Sequence, residues 1–487
     1  MTHHSATPPR VFPFGVWLLS SLALFLVALA AWIRFRFGAV SFEQIITNLP
    51  ISQGEGVGNN NLLVEAVLFC LVLPVGLTTL AAALRWLLGP RRGAAGRRRG
   101  RLWVPAVAAT LAFVVLLVVA GVPQFVRASL DTRTISDYYV APAVTTAPAH
   151  PKNLITIYLE STENTFGDAS IFGEDLLANV QDATSGWAAY DLQQYPTGGW
   201  TMAGITGTQC GIPLKSKLLA VGVNSNNLGE EVETYLPGAT CLGDVLSQHG
   251  YNNAFVGGAH ARFGGKDTYL VDHGYSRVYG LDDWLAAGET SENISAWGLS
   301  DARMFAHAED VLADLHAGGT PFNLTILTLD THDPGAVYPS CTGDDAVSYA
   351  TALKCSGKAV AGFLDHLEQN GYLDDTVVVL MGDHVKNTGD SDQFRDELNR
   401  AGERTIFFRA WSPDGITWGR EGADQLSVLP TTLELLGFGV PAGRAGLGVS
   451  FAAPHDLAGT ALALPSDDYR SLMEAPSSDA YQRFWGS

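Results

Sequence analysis

Three long apolar stretches near the N-terminus constrain this chain more than any other feature of its sequence. They are Val11–Ile33, Leu62–Leu84 and Leu102–Val126. Each supplies the ~20 residues with which an α-helix crosses the ~30 Å hydrocarbon core of a bilayer. Buried helices of a soluble core are the alternative, but three such stretches so close together are unusual there. The sequence therefore predicts a membrane anchor with three transmembrane helices in residues 1–126.

Basic residues predict the orientation of this anchor. The segment 85–101 contains seven arginines, whereas the segment 37–60 contains neither lysine nor arginine. Short basic loops stay in the cytoplasm, so everything after about Arg127 is expected outside the inner membrane, in the periplasm. A cleaved signal peptide would explain the first apolar stretch alone, but two further stretches follow it.

Charge is divided unevenly along the chain. Residues 1–126 contain ten arginines, no lysine and three glutamates, whereas residues 127–487 contain 20 basic and 46 acidic residues. Nucleic-acid binding needs clustered lysine and arginine facing phosphates, so the acidic second part argues against a nucleic-acid partner. Residues 127–150 are rich in Pro, Ala and Thr at their end and are predicted to be a linker. Residues 151–487 are predicted to form an extracytoplasmic catalytic domain.

Four of the five cysteines fall in this second part. They are Cys210, Cys241, Cys341 and Cys355. An even number in an oxidising compartment suggests disulfides, and three pairings are possible. Proximity in sequence favours Cys210–Cys241 and Cys341–Cys355.

Apolar strands and helical patterns alternate beyond the linker, which predicts an α/β fold with a mostly parallel central sheet. The predicted strands are Asn153–Leu159, Phe322–Leu329, Thr376–Met381 and Thr405–Trp411, and the clearest helical patterns are Ser300–His316 and Ser348–Asn370.

Polar residues follow three of these strands directly. Glu160 follows the first, Asp330 the second, and Asp383 with His384 the third. Active sites of open α/β sheets form at the carboxyl ends of the strands, so these side chains are expected to converge. Carboxylate and imidazole together suit a divalent metal ion. A helix-capping aspartate beside an ordinary loop histidine is the alternative for Asp383 and His384.

A glycine-rich run surrounds Thr201 in the segment Gly198–Gly204 (GGWTMAG). Glycines allow close approach of a phosphate, and the amides at a helix start favour anions. A threonine hydroxyl needs activation before it can attack, which a metal ion can provide. Thr201 is therefore a candidate nucleophile, and a capping threonine in a glycine-rich turn is the alternative.

Four segments carry a family resemblance: NLITIYLEST at 153–162, TGGWTMAGITGTQCGIPL at 197–214, LTLDTHDPG at 327–335 and VVVLMGDHVKN at 377–387. Over about residues 150–450 the chain resembles the alkaline phosphatase/sulfatase superfamily. Within it, the chain resembles the membrane-anchored phosphoglycerol transferases, including those that modify osmoregulated periplasmic glucans. Lipoteichoic acid synthases are more distant relatives. The resemblance implies the alkaline phosphatase/sulfatase-like sandwich.

The resemblance also implies a mechanism. One divalent metal ion, commonly Mn²⁺, would be held by Glu160, Thr201, Asp383 and His384. Thr201 would attack the phosphodiester of phosphatidylglycerol, diacylglycerol would leave, and a glycerophospho-threonine intermediate would form. A hydroxyl of a periplasmic glucan or another envelope glycan would then accept the phosphoglycerol. The donor lipid makes the bilayer itself a partner.

Several further residues are predicted on the substrate side of the site. His332 is placed to hydrogen-bond the phosphate or protonate a leaving oxygen, and a structural histidine before Pro334 is the alternative. The other predicted substrate-binding residues are Lys266, His260, Arg262, Trp200 and Asp330. We also expect a local basic patch facing the lipid, formed by Lys215, Lys217, Arg262 and Lys266.

Three other functions stay open at this point: a phosphoethanolamine transferase, a metal-dependent phosphodiesterase and an inactive envelope scaffold. A formylglycine sulfatase is disfavoured, because Cys210–Leu214 (CGIPL) lacks the spacing and the arginine of the C-x-P-x-R motif. The acceptor is expected to be selected by the loops 215–240 and 385–403.

Overall fold

The chain divides into two compact units, Met1–Arg127 and Ala128–Ser487. The structure is a computed structural model, and it describes residues 12–37, 42, 45, 64–88, 102–215, 232–342, 348–388, 393–475 and 478–486.

The first unit is helical. Its helices are α1 (Phe14–Phe37), a helix over Val64–Leu88 whose last part is α2 (Leu73–Leu88), then α3 (Trp103–Val119) and α4 (Val122–Ser129). The helix over Val64–Leu88 includes a π-helical segment, Val67–Val72.

Two single helices are able to span a membrane, whereas three spans were predicted; a bent pair of helices makes the third if the pair is counted as one span. Phe14–Arg36 and Val64–Leu88 are each long and apolar enough to cross a membrane. The third predicted span is broken after Val119, where the chain bends by 61°. Gly121 has a φ of 70°, in the left-handed region that interrupts a right-handed helix.

Hydroxyl groups join α1 to α2. The Ser21 and Thr78 hydroxyls lie 2.6 Å apart, and the Trp17 indole donates to the Thr79 hydroxyl at 3.0 Å. Such pairs satisfy polar side chains that would otherwise face hydrocarbon, which favours helix association in a bilayer.

The second unit is built on a seven-stranded sheet with the order β2-β7-β6-β1-β5-β3-β4. Its strands are β1 (Asn153–Leu159), β2 (Ala188–Ala189), β3 (Asn252–Gly257), β4 (Arg277–Tyr279), β5 (Phe322–Leu327), β6 (Thr376–Gly382) and β7 (Phe408–Trp411). The five strands from β6 to β4 are parallel, and β7 and β2 pair antiparallel at one edge. A separate hairpin joins β8 (Arg444–Ala445) to β9 (Gly448–Val449).

Helices cover this sheet. They are α5 (Ala169–Phe172), α6 (Ala178–Ala183), α7 (Thr201–Cys210), α8 (Leu242–Gln248), α9 (Lys266–Asp272), α10 (Leu281–Ala286), α11 (Asp301–Ala317), α12 (Pro339–Thr342), α13 (Tyr349–Gln369), α14 (Arg395–Arg400), α15 (Val428–Leu435), α16 (Ser466–Glu474) and α17 (Ser478–Trp485).

Both faces of the sheet are buried, which explains why its central strands are continuously apolar. Along β1, Leu154 and Tyr158 pack into one core, whereas Ile155 and Ile157 pack into the other. The first core includes side chains of α7 and α15, and the second includes side chains of α11 and α13.

The predicted α/β fold and mostly parallel sheet are confirmed, and β1 has the predicted bounds. Sequence patterns missed β3, which begins with two asparagines, and also β2 and β4, which have only two and three residues. The predicted strand Thr405–Trp411 is shorter than expected and antiparallel.

Covalent and backbone links tie the ends of several segments. Disulfides join Cys210 to Cys241 and Cys341 to Cys355, as predicted. Within the predicted linker, the Val140 amide donates to the Gly446 carbonyl at 2.8 Å. The middle of the predicted linker is therefore hydrogen-bonded to the rest of the second unit, which begins at Ala128.

We expect Gly382→Ala to destabilise the second unit. An added Cβ would lie 1.9 Å from the Thr162 carbonyl oxygen. Because backbone cannot move aside as a side chain can, the free energy of unfolding should fall by about 1–3 kcal/mol. Gly362→Ala is the matched control: its Cβ would have no neighbour within 4 Å among the described residues. Chemical denaturation measures both, and equal stability would contradict this prediction.

Candidate active site

Three chain segments bring four predicted residues together. Glu160 follows β1, Asp383 and His384 follow β6, and Thr201 begins α7. The ligand atoms of the two carboxylates and the imidazole all lie within 4.8 Å of one another. The Thr201 hydroxyl donates to Glu160 Oε2 at 3.2 Å. We call these four residues the candidate metal site.

Ser161 holds the ends of β1 and β6 together. Its amide donates to Asp383 Oδ1 at 2.8 Å, and its hydroxyl donates to Glu160 Oε1 at 2.7 Å. Its φ is 52°, a left-handed conformation that costs energy in a residue with a side chain. The hydrogen bonds compensate for this cost and orient both carboxylates.

His384 presents one ring nitrogen to the carboxylates. Its Nδ1 lies 2.9 Å from the Val385 carbonyl oxygen, which fixes the ring. Its Nε2 then lies 3.5 Å from Asp383 Oδ2 and 3.8 Å from Glu160 Oε1. A backbone carbonyl on the outer nitrogen is typical of histidines that bind metals.

The charges of this site fit a divalent cation. Asp383 is fully buried, and its Oδ2 has no hydrogen-bond partner among the described residues. Burial, with the nearby charge of Glu160, raises the pKa of Asp383 to about 7. Two buried carboxylates therefore repel each other unless a proton or a cation lies between them. Carboxylate oxygens, a hydroxyl and an imidazole nitrogen form a donor set that accepts Mn²⁺ or Zn²⁺.

Glu160 is buried but remains acidic. Burial alone would raise its pKa, but the imidazoles of His332 and His384 oppose burial and hold that pKa below its ordinary value. The electrostatics therefore favour the ionised form at Glu160, next to the Thr201 hydroxyl.

Helix α7 carries Thr201 against the end of β6. Its other residues, 202–210, are all buried. Gly204 makes the approach possible, because a Cβ there would lie 2.1 Å from the Asp383 carbonyl oxygen. The first turn of α7 thus brings its backbone amides, which favour anions, to the candidate metal site.

His332 lies beside this site on the turn after β5. Its ring centroid is 3.9 Å from that of Trp297, and its Nδ1 is 3.3 Å from the Asp333 carbonyl oxygen. Trp297 was missed by sequence analysis, because nothing in its local sequence distinguishes it from a core tryptophan.

Lys266 is buried near the candidate metal site. Its ammonium donates to the Phe263 carbonyl at 2.6 Å and lies 5.0 Å from the Phe263 ring centroid. Burial lowers the pKa of Lys266 to about 8, although the charge of Glu160 opposes that shift.

The other predicted substrate residues occupy different environments. His260 is partly exposed and lies 3.0 Å from the Asp282 carboxylate, Arg262 is exposed, and Trp200 packs partly buried against the core. Asp330 is buried and stands apart: its carboxylate accepts from the Asp301 amide at 3.0 Å, at the start of α11. Burial and the charge of Asp301 raise the pKa of Asp330 well above its ordinary value.

The prediction of an exposed basic patch is wrong for two of its four residues. Lys215 and Lys266 are each only 5% exposed, and the Lys215 ammonium donates to the Met473 carbonyl. Lys217 lies outside the described residues, as do most of the predicted acceptor loop 215–240 and residues 389–392 of the other. A count of charged residues could not reveal the burial of these two lysines, because it does not distinguish buried side chains from exposed ones.

A polar network that the sequence did not reveal supports the site. The Gln425 amide donates to the Asp383 carbonyl at 2.6 Å. The Lys386 ammonium donates to Asp333 Oδ1 at 2.7 Å and lies 4.1 Å from the Tyr349 ring centroid. In the sequence, only the position of Lys386, two residues after His384, could have indicated that it supports the site. Nothing in the sequence around Gln425 indicated its contact with Asp383.

Comparison with known proteins identifies relatives of this chain. The Sulfatase family model matches residues 218–438. Phosphoglycerol transferase I of Xanthomonas euvesicatoria pv. vesicatoria (strain 85-10) is 30% identical over 326 residues, which are 64% of this chain and 45% of that protein. Phosphoglycerol transferase I of Escherichia coli O6:K15:H31 (strain 536 / UPEC) is 31% identical over 280 residues, 56% of this chain and 35% of that protein. The chain thus spans less than half the length of these curated relatives.

A solved structure with a similar chain is the lipoteichoic acid synthase LtaP from Listeria monocytogenes, with a TM-score of 0.48 and 18% identity over 64% of this chain and 78% of that one. This chain differs from a formylglycine sulfatase at Cys210, which is disulfide-bonded at the far end of α7 from Thr201. A bonded cysteine cannot be the formylglycine precursor.

We expect Asp383→Asn to weaken divalent-cation binding by at least roughly 100-fold, since the variant removes a charged ligand and leaves the shape of the side chain unchanged. Asp375→Asn is the matched control, because Asp375 precedes the same strand β6 and its side chain is 55% exposed. Titration calorimetry with Mn²⁺ measures both variants. Equal affinities would contradict the assignment of Asp383 as a ligand.

Proposed function

We propose that this protein transfers phosphoglycerol from phosphatidylglycerol to an envelope glycan, a periplasmic glucan being the leading candidate acceptor. The observation that carries the proposal is the contact between the Thr201 hydroxyl and Glu160 at the start of α7, beside Asp383 and His384. Relatives named phosphoglycerol transferase I support the donor class.

Thr201 is the proposed nucleophile. Its hydroxyl donates to Glu160 Oε2, and the phosphoryl oxygens would lie at the N-terminal amides of α7, which begins at Thr201. In the first step, the Thr201 Oγ–phosphorus bond forms and the bond to the diacylglycerol oxygen breaks. The hydroxyl proton passes to Glu160, and His332 donates a proton to the departing oxygen. In the second step, a glycan hydroxyl attacks phosphorus and gives its proton to His332, while the bond between phosphorus and Thr201 Oγ breaks and Glu160 returns its proton to Oγ.

Glu160, Thr201, Asp383 and His384 would hold one divalent cation, with Mn²⁺ as the proposed ion. When bound, such a cation stabilises charge on the phosphoryl oxygens and lowers the pKa of the threonine hydroxyl. Phosphoryl transfer needs charge neutralisation and an in-line nucleophile, and the fixed positions of the four side chains supply the alignment.

The substrate side of the proposal rests on Lys266, His260, Arg262 and Trp200. A buried ammonium is a strong partner for a phosphate, because little water screens it. Asp330 has a different proposed role, since its carboxylate is occupied by the Asp301 amide and holds the start of α11 near the His332 turn.

The bilayer supports the choice of a lipid donor. The apolar helices Phe14–Arg36 and Val64–Leu88 can anchor the protein, and the seven arginines of segment 85–101 favour a cytoplasmic loop. With the bent pair Trp103–Val119 and Val122–Leu130 as a third crossing, the second unit would then lie in the periplasm. An anchored enzyme works at a high effective concentration of its lipid donor.

We expect Thr201→Ala to abolish diacylglycerol release from labelled phosphatidylglycerol, with a loss of at least roughly 10³-fold, because the nucleophile is gone. Thr206→Ala is the matched control on the same helix, since the Thr206 hydroxyl has no hydrogen-bond partner among the described residues. Mass spectrometry without acceptor should find a glycerophosphate adduct on Thr201.

The outcomes of this assay separate the competing functions. Diacylglycerol release that survives Thr201→Ala overturns the covalent mechanism. Preferential use of phosphatidylethanolamine identifies a phosphoethanolamine transferase instead. Release that yields free glycerophosphate with or without added glycan identifies a phosphodiesterase.

We also expect the apparent KM for the lipid to rise as the pH increases through about 8. Lys266 is charged below its pKa of about 8 and neutral above it, so its attraction for phosphate is lost on the alkaline side. Lys266→Arg should remove this alkaline rise, since a guanidinium stays charged. Initial rates at several pH values test the prediction, and a wild-type KM that is constant through this range contradicts it.

A further inference from the structure

A second cluster of potential ligands lies at the other end of α7. Cys210 is the last residue of α7, Cys241 precedes α8, and His273 follows α9. The two sulfurs and a ring nitrogen of His273 all lie within 4.8 Å of one another. Both cysteines are fully buried, and His273 is 2% exposed. We call these three residues the Cys210 site.

His273 is held as a metal-binding histidine would be. Its Nδ1 lies 2.8 Å from Asp244 Oδ2, which fixes the proton on Nδ1 and leaves the lone pair on Nε2. That Nε2 is buried and has no hydrogen-bond partner among the described residues. A carboxylate on the outer nitrogen of a buried imidazole is the second-shell arrangement that orients zinc ligands.

The second disulfide provides a contrast. Cys341 and Cys355 are also bonded, but among the described residues no histidine or carboxylate groups with them as His273 does with Cys210 and Cys241. Among the described residues, a buried histidine therefore lies next to the Cys210–Cys241 disulfide but not next to Cys341–Cys355.

We propose that the Cys210 site binds one Zn²⁺-class cation when its disulfide is reduced. A reductant such as a phosphine supplies two electrons: the phosphine and one water give phosphine oxide, the sulfur–sulfur bond breaks, and two thiols form. Zn²⁺ then displaces both thiol protons and is held by two thiolates and His273 Nε2. Two thiolates with one imidazole are a zinc ligand set that leaves a fourth position for water.

This site would keep α7 anchored in two redox states. The disulfide ties the end of α7 to the start of α8, and a cation shared by Cys210 and Cys241 would replace that bond under reducing conditions. Since α7 begins at Thr201, either link restrains the helix that carries the proposed nucleophile. Cys210, Cys241 and His273 themselves take no part in the proposed transfer reaction.

Co²⁺ is the probe that tests this proposal, because thiolate–cobalt charge-transfer absorption reports sulfur ligands. The full chain in detergent, with Cys70→Ala to remove the remaining thiol, is reduced with a phosphine and titrated with Co²⁺. We expect one equivalent to produce the band in the reduced protein and no band in the unreduced protein.

Variants identify the ligands. Cys210→Ser and Cys241→Ser should each lose the band, and His273→Gln should weaken Co²⁺ binding at least about 10-fold. The matched control, Cys341→Ser with Cys355→Ser, should keep the band at the same affinity. The oxygen-rich candidate metal site gives no thiolate band, so failure of the proposed transferase function is a separate result.

Three results would overturn the proposal: no band after reduction, a band that persists without Cys210 and Cys241, or a band that needs Cys341 and Cys355. Circular dichroism shows whether His273→Gln is folded. If it is not, the wild-type comparison before and after reduction still decides the question.

Discussion

The hydrogen bonds of the buried Asp383 hold together the segments that form the candidate metal site. Its Oδ1 accepts amides from Ser161 and from His384, while its carbonyl accepts the Gln425 amide and faces Gly204 on α7. One residue therefore connects the ends of β1 and β6, the first turn of α7 and a turn 42 residues further along the chain. Since these contacts are buried, displacement of any one segment would move the others.

This arrangement is costly for a folded protein. Glu160 and Asp383 are both buried, and burying like charges together opposes folding unless a proton, hydrogen bonds or a cation compensate. Part of the compensation is visible in the hydrogen bonds from Ser161, and part would come from a divalent cation. The remaining negative charge is what the proposed cation would neutralise.

The large negative charge of the second part of the chain says little about the site. Lys266 is buried within it, and the burial that lowers its pKa also shields it from screening by salt. Lys215 is buried at a different place, where its ammonium donates to the Met473 carbonyl of α16. Two lysines of the same formal charge thus lie in different surroundings, which the count of 20 basic and 46 acidic residues in residues 127–487 could not separate.

The sequence by itself determined the apolar helices, the central strands and the residues that follow them. Hydropathy and strand length are local properties, and parallel strands end at one edge, so Glu160, Asp383 and His384 could be predicted to meet. Only the tertiary structure decided the left-handed Ser161, the support from Gln425, the burial of Lys215 and Lys266, and the meeting of His273 with Cys210. These depend on contacts between segments far apart in the chain, which no local pattern of residues encodes.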